Sequence, residues 1–176
     1  KPLLAPNSVA IIGASNKEGS LGYDTIRMIK KSGYKGEVYP INPKYEEILG
    51  YKVYPDLKSI GKPVDTVVLC IAAKRVEEQV DLAIEAKAKS LVIFANCVLE
   101  GDTTPNLEER IIEKCKKANI PLMGHNAMGF YNNDIDLRVC GFDAPDEGTR
   151  GNVALISQSG SVFSTIGHNE PQLKFN

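Results

Sequence analysis

A glycine-rich turn between an apolar run and an amphipathic segment constrains the fold of this chain more than any other feature. Residues 9–22 read VAIIGASNKEGSLG, with glycines at positions 13, 19 and 22. Glycine lets the backbone turn sharply off a strand and approach a ligand closely, and the free N–H groups at the start of a helix attract anions. The pattern therefore predicts a buried strand, a phosphate-binding loop and a helix that begins near Ser20.

The composition of this loop narrows the range of ligands. Its glycines are separated by five and then two residues, which departs from GxGxxG, and the loop lacks the GKS or GKT ending of the P-loop nucleoside triphosphatases. Gly13 and Gly19 would shape the loop, while Ser15, Asn16 and Lys17 would offer a hydroxyl, an amide and a cation to a phosphate. A purely structural turn would use the same glycines, so both interpretations stay open at this point.

Apolar runs recur along the chain, with helical segments between them. The predicted strands are residues 8–13, 37–41, 66–72, 90–95, 121–124 and 152–157. Helical periodicity is present in residues 75–88 and again in residues 107–115. Nearly continuous apolar strands that alternate with helices predict an α/β fold, a Rossmann-like doubly wound domain with a mainly parallel sheet.

A turn-rich segment, APDEGTRG at residues 144–151, predicts a linker between two parts of the chain. We expect residues 1–147 to form the Rossmann-like domain. The residues that follow predict a strand, a glycine turn and the start of a helix, but about 26 residues cannot bury a core of their own. They either add an edge strand to the first domain or begin a second one, and we favour residues 148–176 as the beginning of a truncated, flavodoxin-like α/β domain.

Composition argues against several classes of protein. Lys and Arg total 21 and Asp and Glu total 22, so the formal net charge is -1 and a general nucleic-acid surface has no support. The four cysteines are widely spaced without a CxxC pair, which favours reduced thiols over a disulfide framework or a metal site. No segment has the length and apolarity of a membrane span or of a signal peptide, so we expect a soluble, cytoplasmic protein.

The turn after the second predicted strand bears on the choice of ligand. A nicotinamide-binding domain usually places an acidic residue there to hold the ribose hydroxyls. Here the strand tip reads PINPK, and the nearest acid, Glu37, lies at the other end of the strand. Lys44 in this turn suits a ligand with an extra phosphate on its ribose, either coenzyme A (CoA) or NADP, and a solvated loop lysine is the alternative.

Seven segments, in order, resemble the CoA-binding domain of NDP-forming acyl-CoA synthetases, a family that includes the alpha subunit of succinyl-CoA synthetase and the ADP-forming acetate-CoA ligases. They are SVAIIGASNKEGSLG, VYPINPK, YKVYPDLKSI, VDTVVLCIAAKRVEEQV, LVIFAN with Glu100-Gly101, IPLMGHNAMGFYN and GNVALISQSGSV.

The resemblance implies a parent ligase that converts an organic acid, CoA and ATP into acyl-CoA, ADP and phosphate through a phosphohistidine. The segment that carries this histidine does not occur here, so the chain is expected to bind CoA without turnover. ATP or ADP and Mg would bind only to an ATP-grasp domain or beta subunit.

The resemblance also implies site residues. Those lining the CoA phosphates would be Ser15, Asn16, Lys17 and Glu18, and Lys44 would meet the 3'-phosphate. Those flanking the adenine and the pantetheine would be Ile71, Ala72, Phe94, Ala95 and Asn96. Near the thiol would lie Asn126 and Gly129. The helix start that holds the phosphate of the catalytic histidine would be formed by Ser159, Gly160 and Ser161.

Two side chains near these positions need an interpretation. His125 stands where the family usually has proline, and it is either an acid or base at the thiol end or a packed side chain without a visible partner. Cys97 follows a strand, but no neighbouring base is evident in the sequence, so we expect an inert thiol. Two other functions stay open: a non-catalytic CoA-sensing or regulatory module, and an NADP-dependent oxidoreductase domain.

Overall fold

A parallel sheet forms the centre of the structure, a computed structural model that describes residues 2–143, 151–169 and 175, without the side chains of residues 167–169. In chain order the strands are β1 (Ser8–Ile12), β2 (Glu37–Ile41), β3 (Glu47–Ile48), β4 (Tyr51–Lys52), β5 (Thr66–Leu69), β6 (Leu91–Ile93), β7 (Leu122–Met123), β8 (Gly129–Asn132) and β9 (Leu137–Cys140). The α-helices are α1 (Leu21–Ser32), α2 (Val76–Glu85), α3 (Leu107–Lys117) and α4 (Gly160–Asn169). The predicted linker lies outside the described residues except for Gly151, and so does the predicted boundary between residues 147 and 148.

The strand order of the main sheet is β2-β1-β5-β6-β7, with parallel pairing throughout. Beyond β2, Tyr54 forms an isolated parallel bridge with Ile41. The N–H of Tyr54 donates to the carbonyl of Pro40, and its carbonyl accepts from the N–H of Asn42, each at 2.9 Å. Tyr54 thus occupies the place of the third strand in a Rossmann fold, whose strand order is 3-2-1-4-5-6. The predicted fold class is confirmed.

Helices cover both faces of the sheet because successive side chains of each strand point to opposite faces. Val9 and Ile11 of β1 pack in one core cluster with Ile26 of α1. Ala10 and Ile12 pack in the other cluster with apolar side chains of α2 and α3. This two-sided burial explains why the strands are nearly continuous apolar runs and why their positions could be predicted.

Two antiparallel hairpins were not predicted. β3 and β4 form a short hairpin after β2, and β8 pairs with β9. The β8–β9 hairpin contributes Phe130, Leu137 and Val139 to the core on the α1 side. It therefore covers part of the sheet face that α1 leaves open.

The prediction of a strand at residues 152–157 is wrong. Val153 makes one isolated bridge with Phe175, and the other residues of this run have no regular secondary structure. Ile156 is 95% exposed, so this apolar run does not bury its side chains against the described sheet. The helix predicted after the glycine turn is confirmed as α4. Within the described part of the chain, no helix is both long and apolar enough to cross a bilayer.

Candidate functional site

The glycine loop, residues 13–20, leaves the carboxyl end of β1 beside the end of β5. Gly13 has φ of 88°, and a Cβ at this position would collide with the carbonyl of Cys70. Gly22, in the first turn of α1, lies so close to the carbonyl of Gly13 that a Cβ there would also collide. β1 is the point at which the strand order reverses, and ligands of open α/β sheets bind in the crevice outside such a point.

Side chains of two asparagines brace this loop against the segment that follows β2. Asn42 donates from Nδ2 to the carbonyl of Ala14 at 2.7 Å, and Asn16 donates from Nδ2 to the carbonyl of Glu47 at 3.1 Å. At the other end of the loop, Ser20 is the N-cap of α1 and accepts from the N–H of Tyr23 at 3.4 Å. The first turn of α1 is therefore held with its free N–H groups at the mouth of the crevice, as the sequence predicts.

Four cations lie on the loops at this edge of the sheet. Lys17 is in the glycine loop, Lys44 follows β2, and Lys74 and Arg75 follow β5. All four are exposed, and none makes an ion pair with another residue that the structure describes. Lys74 and Arg75 were not among the predicted site residues, although two consecutive cations after an apolar strand are a usable signal.

The loop after β2 is shaped to present Lys44. The side-chain oxygen of Asn42 accepts from the N–H of Lys44 at 3.0 Å, an Asx-type turn that fixes the backbone there. Asn42 thus joins the glycine loop and the Lys44 turn through its two side-chain groups. Because both loops follow adjacent parallel strands, they lie at the same edge of the sheet.

The residues predicted to flank a ligand after β5 and β6 lie at this edge, with different exposure. Ile71 lies against Gly13, and Ala72 is exposed. Phe94 is buried in the core on the α1 side, so this position can offer a ligand only its backbone. Asn96 is exposed, and its side-chain oxygen accepts from the N–H of Val98 at 3.2 Å.

The loop after β7, residues 124–128, contains the predicted thiol-end residues. Its backbone is tied to β6 by the N–H of Asn126, which donates to the carbonyl of Ala95 at 2.7 Å. Gly129 begins the β8–β9 hairpin, with φ of 105°, and a Cβ there would collide with the carbonyl of Val139. The cross-strand approach by itself therefore requires a glycine at this position.

His125 has a partner that the sequence did not reveal. Its Nε2 lies 2.9 Å from Oε1 of Glu108, in the first turn of α3. Its Nδ1 is buried and makes no hydrogen bond with any described residue. His125, Glu108 and Cys97 line one small pocket. Burial raises the pKa of the Cys97 thiol to about 11, and the negative charge of Glu108 adds to the effect. An unreactive thiol at Cys97 agrees with the prediction.

The predicted phosphate helix lies beside the β7 loop. Ser159 caps α4, since its Oγ accepts from the N–H of Val162 at 3.3 Å. Gly160 packs on Met128, leaving no room for a Cβ beside the sulfur. Phe163 contacts Tyr131 of β8 edge to face, with 5.5 Å between ring centroids. The structure thus brings together two predicted regions that are about thirty residues apart in the sequence.

An ion network joins the helices that support the β6 and β7 loops. Arg110 of α3 binds Glu77 of α2 at 3.0 Å and Asp102 at 3.1 Å. Lys114, one turn further along α3, binds Asp81 at 2.6 Å. The Arg110 side chain lowers the pKa of Glu77, and the N–H of Leu107, followed by Arg110, lowers the pKa of Asp102. These carboxylates act within the protein, while the four cations at the sheet edge have no such partner among the described residues.

The arrangement is suited to an anionic ligand that spans several strand ends. Helix N–H groups and cations stabilise phosphate, and half-buried apolar residues such as Ile71 can receive an uncharged part of the same ligand. No group of three or more His, Cys, Asp and Glu side chains in the described part is placed to hold a metal ion.

Comparison with known proteins identifies relatives of the whole arrangement. A family model described as a CoA binding domain matches residues 7–133. The chain is 35% identical over 161 residues to the ADP-forming acetate-CoA ligase of Methanocaldococcus jannaschii, in a match that covers 92% of this chain and 22% of the ligase. It is 32% identical to the alpha subunit of ADP-forming acetate-CoA ligase II of Pyrococcus furiosus, over 92% of this chain and 35% of the subunit.

A solved structure shows the same similarity in three dimensions. The dinucleotide forming acetyl-coenzyme A synthetase 1 of Candidatus Korarchaeum cryptofilum, in complex with phosphate and ADP, matches with a TM-score of 0.79 and 29% identity, over 90% of this chain and 34% of that one. The chain therefore spans between 22% and 35% of the length of these three relatives.

Proposed function

The chain belongs to the CoA binding domain family, and from this premise we propose that it is the CoA-binding part of an ADP-forming acyl-CoA synthetase. The observation that carries the proposal is the edge of the sheet at the β1 switch point. That edge carries the braced glycine loop and the N-terminus of α1. It also carries four cations that make no ion pair with any residue the structure describes. CoA carries a diphosphate and a separate 3'-phosphate, so its nucleotide end needs several positive groups at once.

The phosphates would be divided between two neighbouring loops. The free N–H groups at the start of α1, with Ser15, Asn16 and Lys17, suit the diphosphate. Lys44, on the turn fixed by Asn42, suits the 3'-phosphate of the ribose. Glu18 is part of the same loop, where its charge would face solvent instead of the phosphates.

The rest of the ligand would run along the same edge towards α4. Ile71, Ala72, Ala95 and Asn96 suit the adenine and pantetheine, and the backbone of Phe94 lies beside them. Asn126, with Gly129 at the hairpin entrance, suits the thiol end. The start of α4, at Ser159, Gly160 and Ser161, would hold a phosphoryl group beside the loop that positions the thiol.

In the complete enzyme this geometry fits attack of the thiol on an acyl phosphate. The sulfur would form the thioester bond to the acyl carbon, phosphate would leave with the electron pair of the broken C–O bond, and the thiol proton would pass to the departing phosphate. We assign the organic acid, the phosphohistidine and the ATP or ADP with its Mg to parts of the parent enzyme beyond this chain, including an ATP-grasp domain or beta subunit. The contribution of this chain is to fix the thiol and exclude alternative orientations.

Calorimetric titration with CoA, dephospho-CoA and NADP tests the proposal. We expect CoA to bind with a dissociation constant in the micromolar range or below, dephospho-CoA to bind more weakly, and NADP to give no heat of binding. NADP is the informative competitor because it also carries an extra phosphate on its ribose. Tight binding of NADP together with no binding of CoA would overturn the proposal in favour of an oxidoreductase domain.

A further inference from the structure

The β7 loop has few backbone ties for a loop that carries functional residues. β7 is only two residues long. Beyond it, two backbone hydrogen bonds hold the loop to the end of β6. The N–H of Asn126 donates to the carbonyl of Ala95 at 2.7 Å, and the N–H of Ala127 donates to the carbonyl of Ile93 at 3.2 Å. Exposed loops with few hydrogen bonds fluctuate readily, so the position of Asn126 depends on whatever else holds the loop.

Ala127 and Met128 add apolar contacts with the core and with Gly160, and one side chain supplies a polar contact. The contact of 2.9 Å between Nε2 of His125 and Oε1 of Glu108 is the single polar side-chain contact of residues 124–128 with the rest of the described structure. The imidazole lines a small pocket with Cys97 and Ile111, so its ring is also fixed by apolar neighbours. His125 directly precedes Asn126, and the contact therefore limits rotation of the loop at the residue next to it.

The other end of the contact is firmly mounted. Glu108 lies in the first turn of α3, where Asn106 and Glu109 form a reciprocal capping box. The N–H of Leu107 donates to Asp102 at 2.6 Å, and Arg110 ties the same turn to α2. A carboxylate on so constrained a helix start can position a loop, whereas one on a mobile segment could not.

We propose that Glu108 and His125 are positioning residues that hold Asn126 for the pantetheine and thiol end of CoA. The inference rests on the proposed function and adds to it a specific pair of side chains that do not themselves touch the nucleotide. It assigns His125 a mechanical role and not that of an acid or base. The Nδ1 atom is buried and has no hydrogen-bond partner among the described residues, which costs desolvation free energy. We take this cost as a sign that the ring is present for the contact made by Nε2.

The test compares CoA with adenosine 3'-phosphate 5'-diphosphate, which has the nucleotide end of CoA but no pantetheine. In Glu108→Ala, we expect the dissociation constant for CoA to rise about five- to ten-fold, as for loss of one hydrogen bond of ordinary net strength. The dissociation constant for adenosine 3'-phosphate 5'-diphosphate should stay within about two-fold of that of the wild type. Unchanged binding of this fragment also shows that the variant is folded.

Two further variants separate the contact from general effects. Glu108→Gln removes the charge but keeps an oxygen that accepts from His125, and it should retain CoA binding close to that of the wild type. Glu113→Ala removes a carboxylate from the exposed side of α3, where it pairs with Lys117, and should change neither ligand. Equal weakening of both ligands by Glu108→Ala, or no weakening of either, would overturn the inference. Failure of the wild type to bind CoA would instead remove the proposed function on which the inference rests, and the inference with it.

Discussion

Gly19 and Gly22 lie three residues apart, yet the structure requires glycine at each for a different physical reason. Gly19 has φ of 74° and no atom within 4 Å of the position that a Cβ would take, so a side chain there meets conformational strain but no neighbour. Gly22 has a helical backbone, but a Cβ would collide with the carbonyl of Gly13. The sequence shows three glycines and cannot distinguish these requirements, because they depend on how closely α1 packs on the turn after β1.

This difference predicts unequal effects of alanine. Gly22→Ala should lower the free energy of unfolding by about 2–3 kcal/mol, because overpacking against backbone outweighs the better helix propensity of alanine. Gly19→Ala should cost only about 1 kcal/mol, the strain of a left-handed backbone conformation. Urea unfolding of both variants measures the two values. Equal losses would contradict the assignment of a steric role to Gly22.

Lys44 provides a second prediction at the level of a single residue. If its ammonium group binds the 3'-phosphate, Lys44→Ala should weaken CoA about ten-fold or more and leave dephospho-CoA nearly unchanged. Lys116→Ala, which removes an exposed lysine from α3, is the control for net charge and should affect neither ligand. Calorimetric titration of both variants with both ligands gives the comparison. Equal weakening of CoA and dephospho-CoA by Lys44→Ala would refute the contact.

The sequence identified Lys44 but not the side chains that place it. The prediction depended on a lysine in the turn after β2, which is a local signal. The brace from Asn42 to Ala14 and the contact from His125 to Glu108 join residues 28 and 17 positions apart. Both contacts form only when loops and helices come together in the folded chain, so no local sequence pattern predicts them.

At the level of elements, the strands of the main parallel sheet could be predicted and those of the two hairpins could not. β1 and β5 are continuous apolar runs because α1 covers one side of them and α2 and α3 the other. The hairpin strands mix polar and apolar residues, GFYN in β8 and LRVC in β9. They do so because only one face of the hairpin packs on the core at the α1 side of the sheet. Residues 152–157 look like a buried strand, but in the described structure they make a single bridge, between Val153 and Phe175, and the prediction failed.

The ion network between α2 and α3 predicts how stability depends on pH. Hydrogen bonding to Arg110 lowers the folded-state pKa of Glu77, and the N–H of Leu107 and Arg110 lower that of Asp102. A carboxyl group whose pKa is lower in the folded than in the unfolded state stabilises the fold above its unfolded pKa, and this contribution is lost as the pH falls through the folded value. The free energy of unfolding should therefore decrease as the pH falls below about 4.5, where unfolded Glu and Asp begin to bind protons.

Glu77→Gln isolates one part of this effect. The variant should be less stable than the wild type at pH 7, and its stability should fall less steeply below about pH 4.5, because one proton-binding group is gone. Urea unfolding at a series of pH values measures both slopes, and Glu113→Gln on the exposed side of α3 is the matched control. A Glu77→Gln slope as steep as that of the wild type would show that the network does not contribute to acid unfolding.

At the scale of the whole molecule, the two edges of the sheet differ in what they present. The glycine loop and the N-terminus of α1 lie at the carboxyl ends of the strands, whereas a buried carboxylate lies at the amino ends. At the amino ends of the strands, Asp65 accepts from Lys89 at 2.7 Å and from the N–H of Asn7 at 2.8 Å, and Ser90 donates to its carbonyl at 2.9 Å. Burial opposes ionisation there, but these hydrogen bonds keep the pKa of Asp65 below its usual value. These partners all belong to the protein itself, so the buried carboxylate of Asp65 is satisfied without a ligand. At the carboxyl ends, Lys17, Lys44, Lys74 and Arg75 have no such partners among the described residues.

This asymmetry predicts where bound CoA should protect the backbone. Addition of saturating CoA should slow amide hydrogen exchange in the glycine loop, in the turn at residues 42–46 and in the loops after β5, β6 and β7. The turns at residues 61–64 and 86–89, at the amino ends of β5 and β6, should exchange at unchanged rates. Loops exchange mainly through local openings, so ligand contacts there are visible without global unfolding.

Inorganic phosphate supplies the control that separates charge from the complete ligand. Helix N-termini and glycine loops suit phosphate by themselves, so under the proposed function inorganic phosphate should protect residues 13–20 but not the loops after β6 and β7. In the proposed arrangement those loops contact the adenine and the pantetheine arm, which inorganic phosphate lacks, so their protection requires a single molecule that lies across the edge from β2 to α4. Protection by CoA confined to the glycine loop would show that the arm does not follow the sheet edge, and protection at residues 61–64 would place the ligand at the opposite edge.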